Sequence, residues 1–254
     1  MSNTATTTYS GRFVKPGKFF MENAADIDFL KAHETAEQLG RLHRPQLHSN
    51  VLELFRNEAE ARGLALSNEK GILSLDGRNL IYTARVNESS NPDFAYTIGF
   101  RNYNDRCIAF HGMFGSEVFV CTNGMCTGYI KPSRMKHMTD DLEDYKDKIN
   151  VIYDYFPVAK AEIDNGIEQL KAVKIDDQKL GAFLVDGMRC GTFCSKVTSM
   201  VLREFDKPTL NADTKNAWHL ANAVTYVTTH EMKGDLSHRE RITKWSWDHL
   251  RQLA

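Results

Sequence analysis

No apolar run in the 254 residues approaches the roughly 20 that a bilayer-spanning helix requires, and the N-terminus lacks the apolar core of a signal peptide. A cytoplasmic protein without a membrane partner is expected. Neither sign of charge predominates: 32 Lys and Arg face 33 Asp and Glu, for a formal charge of -1. No global basic field therefore draws in nucleic acid, and any such binding has to rest on a local patch. Cysteine is sparse and odd in number, five residues at 107, 121, 126, 190 and 194, which argues against a disulfide framework and for reduced thiols. Structural zinc usually takes tighter cysteine pairs than Cys121 with Cys126 or Cys190 with Cys194. Cys121 ends an apolar run and Cys194 opens a helical one, where a thiol commonly serves as a small buried hydrophobe, so no metal is assigned. Also missing are a P-loop, a Rossmann glycine fingerprint, a nucleophile elbow and a zinc-protease helix. No cofactor is expected, and no catalytic residue is assigned.

What the chain does hold is a hydrophobic fraction of 42% and enough length for one large domain, or one domain with a helical appendage. The pattern is densest from Asp93 to Thr127, DFAYTIGFRNYNDRCIAFHGMFGSEVFVCTNGMCT. Phe94, Tyr96, Ile98 and Phe100 alternate with Ala95, Thr97, Gly99 and Arg101, the period of a strand with one bulky face and one small face. The small face would admit another backbone or a flat ligand. Arg101 to Arg106 reads as a polar turn, and the runs Cys107 to Phe114 and Val118 to Cys121 read as further strands, closed by the turn signal Thr122-Asn123-Gly124.

Upstream, residues 1–48 read as a flexible arm with a Thr- and Ser-rich tail. His33, His43 and His48 lack helical spacing and are expected to be solvated or hydrogen-bonded. A helix is predicted from Ser49 to Gly63, capped by Ser49 or Asn50, followed by extended segments on either side of the hairpin turn Asp76-Gly77. Downstream, the chain is expected to turn helical beyond Met125, with Lys131, Arg134, Lys136 and His137 in a basic loop. Helices then start at Asp140-Asp141, with a kink or end at Pro157, and at Asp176-Asp177. Others run from Cys194 to Phe205, from Thr214 to about Glu231 with Trp218 in the core, and from Ser237 to Leu253. The fold class is α+β: an antiparallel β-meander sheet flanked by helices, with a helical C-terminal half. Residues 49–130 supply the helix and sheet, and 131–254 the helical region packed on it as one globular unit.

Three stretches carry a resemblance. IGFRNYNDR with GSEVFVCTNGMC, the helix NAWHLANAVTYVTTHE, and the lead-in GLALSNEKGILSLDGRNLIYTARV occur in the order found in domain-of-unknown-function family 932, which the chain resembles from about Val51 onward. The resemblance implies a phage or plasmid setting and no catalytic residues. The order of helix, strand meander and return helix is also similar, in outline only, to single-strand annealing proteins of the Red-beta type. The expected function is a non-enzymatic binding protein of phage or plasmid DNA metabolism that holds single-stranded DNA or RNA. Arg101, Asn102, Tyr103, Arg106, Lys131, Arg134 and Lys136 are its candidate contacts, with Tyr96 or Tyr103 stacking on bases. Asp105, His111, Asn123, Asn222 and His230 form a candidate polar site, in which Asn222 would bond the turn near Arg101 or Asp105. Two alternatives are an inhibitor of a host defence protein and a metal-dependent hydrolase or nuclease using the polar turn Arg101 to Arg106, Asp105 included, with His111. A Cys-His dyad of Cys107 or Cys121 with His111 or His230 is a further arrangement the composition permits. Exposed strand edges would allow a homo-oligomer.

Overall fold

The computed structural model describes residues 24–86, 94–115, 133–209, 214–232, 238–239 and 241–253, and the backbone alone at 9–10, 19–22, 116–118, 123–132, 236–237 and 240. Among the described residues, seven strands form one sheet in chain order: β1 (Tyr9–Ser10), β2 (Phe19–Glu22), β3 (Leu66–Ser74), β4 (Asn79–Val86), β5 (Phe94–Tyr103), β6 (Phe110–Val118) and β7 (Asn123–Met135). The pairings from β1 to β5 are antiparallel. Helices α1 (Ile27–His33) and α2 (His48–Ala61) lie between β2 and β3 in the chain. After β7 come α3 (Leu142–Ala172), α4 (Asp177–Arg189), α5 (Ser195–Asp206), α6 (Ala217–Tyr226), a π-helical turn at Val227–Glu231, and α7 (Leu236–Arg251). The expected α+β meander with a helical C-terminal half is present. Among the described residues no helix is long and apolar enough to cross a membrane.

The chain divides into two compact units, one of Met1–Asn91, Ala95–Phe114 and Gly128–Pro157, the other of Pro92–Phe94, Gly115–Thr127 and Val158–Ala254. In the first, Phe55 of α2 is the hub of an aromatic core. Its ring lies 5.6 Å from Tyr82, 5.2 Å from Phe100 and 4.9 Å from Tyr153, and Phe100 leads on to Phe110 at 5.8 Å. Tilted and edge-on rings at such separations gain more than their buried area alone. Polar atoms at its border are matched: Arg56 grips Glu69 Oε2 at 2.8 and 2.6 Å through Nε and Nη2, Tyr82 donates its hydroxyl to the same oxygen, and Tyr153 donates to the Phe55 carbonyl at 2.8 Å. Gly99 is crowded by the backbone of the paired strand β4. A Cβ at Gly99 would stand 2.0 Å from the Tyr82 carbonyl oxygen, so only glycine fits opposite Thr83.

In the second unit, Phe183, Phe193 and Trp245 pack mutually at 5.2 to 5.6 Å, while Trp218 meets Phe94 at 6.3 Å and Trp247 at 6.5 Å. Asp176 caps α4 by accepting from Lys179 N–H, and Asn216 caps α6 by accepting from His219 N–H. These short polar side chains satisfy amides that the helix itself leaves unpaired.

Several local expectations are corrected. Ser49 and Asn50 do not cap α2, which begins at His48; Glu34 instead reaches across from the end of α1 and accepts from Ser49 N–H at 2.8 Å and from its hydroxyl. Arg101, Asn102 and Tyr103 are the buried end of β5 rather than part of the turn, which starts at Asn104. The segment beyond Met125 is not helical: β7 runs to Met135, so Lys131 and Arg134 lie on a strand, not in a loop. Pro157 neither ends nor divides α3. Its missing N–H and ring cost about 3 kcal/mol in a helix interior, and the buried stripe of Tyr145, Ile149, Ile152, Phe156, Ala159, Ile163, Ile167 and Leu170 offsets that cost. Cys107, Cys190 and Cys194 are exposed rather than buried. Two of them occupy cap positions, Cys190 ending α4 and Cys194 preceding α5. The last helix stops at Arg251 rather than Leu253, burying Ile242, Thr243, Ser246, Trp247 and Leu250 and leaving Leu253 exposed beyond its end. The N-terminal tail, Asn87 to Asp93, the end of the Val118–Cys121 run, and the side chains of Cys121 and Cys126 lie outside the described residues.

Candidate anion-binding cleft

Three segments of the first unit converge on a cleft of about 540 Å³: Gly40–His43 from the loop after α1, Arg106–Ala109 from the turn between β5 and β6, and Arg134–Met138 at the end of β7. Each is anchored from behind. A turn is closed by His43 N–H on the Gly40 carbonyl at 3.0 Å, and Gln38 Nε2 donates to that carbonyl at 2.8 Å. Arg44 N–H donates to the His137 carbonyl at 2.9 Å, which ties the loop to the end of β7. In the β5–β6 turn, Asp105 accepts from Asn79 Nδ2 at 2.7 Å and from Cys107 N–H at 2.9 Å. Asn104 N–H donates to the Arg78 carbonyl at 2.7 Å, and Asn104 Nδ2 to the Gln46 carbonyl at 2.9 Å. Behind them, Asn102 Nδ2 contacts His48 Nδ1 at 2.8 Å. The Asn-rich turn thus acts as the bracket that holds the loop, with the side-chain amide donors of Asn102 and Asn104 engaged by a buried ring and by backbone.

Arg106 links the β5–β6 turn to the loop after α1. Its φ of +69° is uncommon for a residue with a Cβ, costing about 1 kcal/mol or more. Its Nη1 donates to the Leu39 carbonyl at 3.1 Å, and a Cβ at Gly40 would come 3.1 Å from that nitrogen. Arg41, Arg134 and Lys136 complete a set of four exposed cations around the cleft, and no carboxylate lines it. Among the described residues none of the four forms an ion pair. Their fields add on any anion that enters.

Two buried histidines, His43 and His137, line the cleft from different walls, with rings 6.2 Å apart. Burial first, and then the Arg106 guanidinium, holds His43 below the ordinary imidazole range, although Asp105 opposes this. Burial, followed by His43, pushes His137 down to about 4. Both are neutral near pH 7. His43 Nδ1 accepts from Leu39 N–H at 3.0 Å, so the proton sits on Nε2, a buried donor with no partner among the described residues. His137 Nδ1 lies 3.0 Å from the Tyr145 hydroxyl.

Of the sequence candidates, Arg106, Arg134 and Lys136 are brought together here. Arg101, Asn102 and Tyr103 are buried and do not line the cleft, and Tyr96 packs edge-on against Phe156. Asp105 sits within the turn, while His111 is half-buried with Nδ1 on the Ala109 carbonyl at 2.9 Å. The side chains of Lys131 and Asn123 lie outside the described residues. Asn222 and His230 belong to the second unit; Asn222 has no side-chain hydrogen bond among the described residues, and His230 is exposed against Tyr226. Arg41 and His43 were missed as cleft residues, and the run Gly40-Arg41-Leu42-His43-Arg44, basic and punctuated by glycine, is the signal that points to them. Among the described residues, no three His, Cys, Asp or Glu side chains group as they would around a metal ion.

Residues 44–251, most of the chain, match the family described as Domain of unknown function (DUF932). The chain belongs to that family. Within the DUF932 match lie Arg106, Arg134, Lys136 and His137, whereas Gly40 to His43 precede it. The cleft therefore combines family residues with a wall supplied from upstream. No curated protein and no solved structure matches the chain significantly.

Proposed function

We propose that this DUF932 chain is a non-enzymatic binding protein that holds single-stranded nucleic acid by its phosphates, in the DNA metabolism of a phage or plasmid. The observation that carries the reading is the convergence of Arg41, Arg106, Arg134 and Lys136 on one cleft without a carboxylate, in a chain of net charge -1. A surface with balanced charge would scatter cations among anions; here four lie together and none is neutralised among the described residues. Arg106 is also held in a fixed orientation by the Leu39 carbonyl, so its remaining N–H groups are presented at reduced entropic cost. The mobile-element setting rests on the three sequence stretches and their order.

Fluorescence anisotropy of a labelled single strand tests the reading. Neutralising four phosphates gives a slope of log affinity against log salt near -3 for a single strand, so affinity falls about 50-fold from 50 to 200 mM salt. A chain that leaves the strand unbound at low salt contradicts the proposal.

A further inference from the structure

We infer that the group seated in the cleft is a terminal phosphate, a phosphomonoester or longer phosphate chain, and not an internal phosphodiester; this rests on the cleft being the phosphate-binding site proposed above. Charge density is the first argument. A cleft of about 540 Å³ is the size that takes one small-molecule ligand, such as a nucleotide, and it is lined by four cations that form no ion pair among the described residues. An internal diester brings one negative charge per nucleotide, so a strand bound through diesters alone has to bring four nucleotides into that space to meet the four cations. A phosphomonoester carries a charge of about -1.5 to -2 near pH 7, because its second pKa lies near 6, and a di- or triphosphate carries more. The ligand that matches the wall is the one with its charge concentrated at an end.

Donor number is the second argument. A diester phosphorus has two non-bridging oxygens, whereas a terminal phosphate has three. The cleft offers an excess of donors: the exposed guanidinium groups of Arg41, Arg106 and Arg134 and the Lys136 ammonium, with the Nε2–H of His43 buried in its wall. His43 is only 5% exposed, and its Nε2–H is unmet by any described residue. A buried donor left without an acceptor is costly and is ordinarily met by water or ligand. An oxygen of a terminal phosphate is the acceptor that the cationic surroundings favour. Arg106, fixed by its contact with Leu39, lines the same cleft as His43.

A terminal phosphate has two sources, the 5′ end of a strand and a free nucleotide, and one titration series separates them. The intact chain is titrated with a 5′-phosphorylated single strand, with the same strand ending in a 5′ hydroxyl, and with a nucleoside 5′-monophosphate and triphosphate. We expect the phosphorylated strand to bind at least about tenfold more tightly than the hydroxyl strand, the scale of one charge-assisted hydrogen-bonded contact. Arg41→Ala and Arg134→Ala, both exposed and so without effect on folding, are expected to shrink that preference to about threefold or less. His43→Gln is expected to shrink it too, with circular dichroism used to confirm the fold. Free nucleotide binding as tightly as the strand supports the terminal-phosphate inference and overturns the strand reading. Equal affinity for the two strands, with salt dependence retained, overturns the inference and leaves the strand reading standing. No binding of any of the four probes overturns both.

Discussion

Lowering the pH from about 7.5 to 5 should destabilise the first unit well before its carboxylates titrate. His48 is completely buried at the start of α2, and burial pushes its pKa down to about 3. His137, also buried, is pushed down to about 4. In the unfolded chain both return to the ordinary value near 6.5. As the pH falls below about 6.5, the unfolded state takes up protons that the folded state refuses, so stability is complete above that point and lost toward the folded pKa values. At pH 5 each histidine contributes a loss of about 2 kcal/mol, and the two together about 4, a large share of a typical domain's margin. His43 and His111, whose pKa values are also lowered by burial, add to the loss in the same direction. Asp and Glu have unfolded pKa values near 4, so they contribute little above pH 5. Urea unfolding followed by circular dichroism at several pH values measures the slope directly. His48→Gln removes one titrating group, and whatever it does to absolute stability, its loss between pH 7.5 and 5 should be smaller by about 2 kcal/mol. A wild-type loss below about 1 kcal/mol, or an unchanged slope in the variant, refutes the buried neutral histidines.

Other perturbations test other parts of the account. Phe55→Ala removes the ring that touches Tyr82, Phe100 and Tyr153 and should cost about 3 to 5 kcal/mol in urea unfolding, whereas a cost below about 1 would deny Phe55 its place at the hub. Gly77→Ala puts a Cβ at φ +68° and 2.1 Å from the His33 carbonyl oxygen, so the melting temperature should fall by several degrees, about 1 kcal/mol or more of strain being involved. Glu69→Ala leaves Arg56 and the largely buried Tyr82 hydroxyl without their shared acceptor and should destabilise by about 1 to 3 kcal/mol, with Tyr82→Phe in the same background recovering part of the loss.

Much of the sheet is legible in the sequence because its signals are local. The alternation from Phe94 to Phe100 and the Asp76-Gly77 turn state a strand and a hairpin within a short span each, and Gly77 does adopt the positive φ that such a turn needs. Pro157 is where local reading fails. Propensity speaks against a continuous helix, but a buried stripe on both sides of the proline decides the outcome, and burial is a tertiary property. The end of β5 fails for a similar reason: Arg101, Asn102 and Asn104 look like exposed turn residues, yet Asn102 and Asn104 are held inside by His48 and the Gln46 carbonyl, 54 and 58 positions away in the chain. The cleft was half visible. Arg134 and Lys136 stand out as a basic cluster, and Arg106 as the end of the Asn-rich turn. That the Gly40–His43 loop would close on them depends on backbone bonds such as Arg44 N–H to His137, which leave no trace in composition or periodicity.

The central claim, that four cations of one cleft meet phosphate, is tested most directly by the salt dependence of single-strand binding in the chain and in an Arg134→Ala, Lys136→Ala double variant. Each phosphate contact removed should lower the slope of log affinity against log salt by about 0.7, so the double variant should fall from near -3 to about -1.4 while weakening uniformly across sequences. A double variant that keeps the parent slope and affinity contradicts the account.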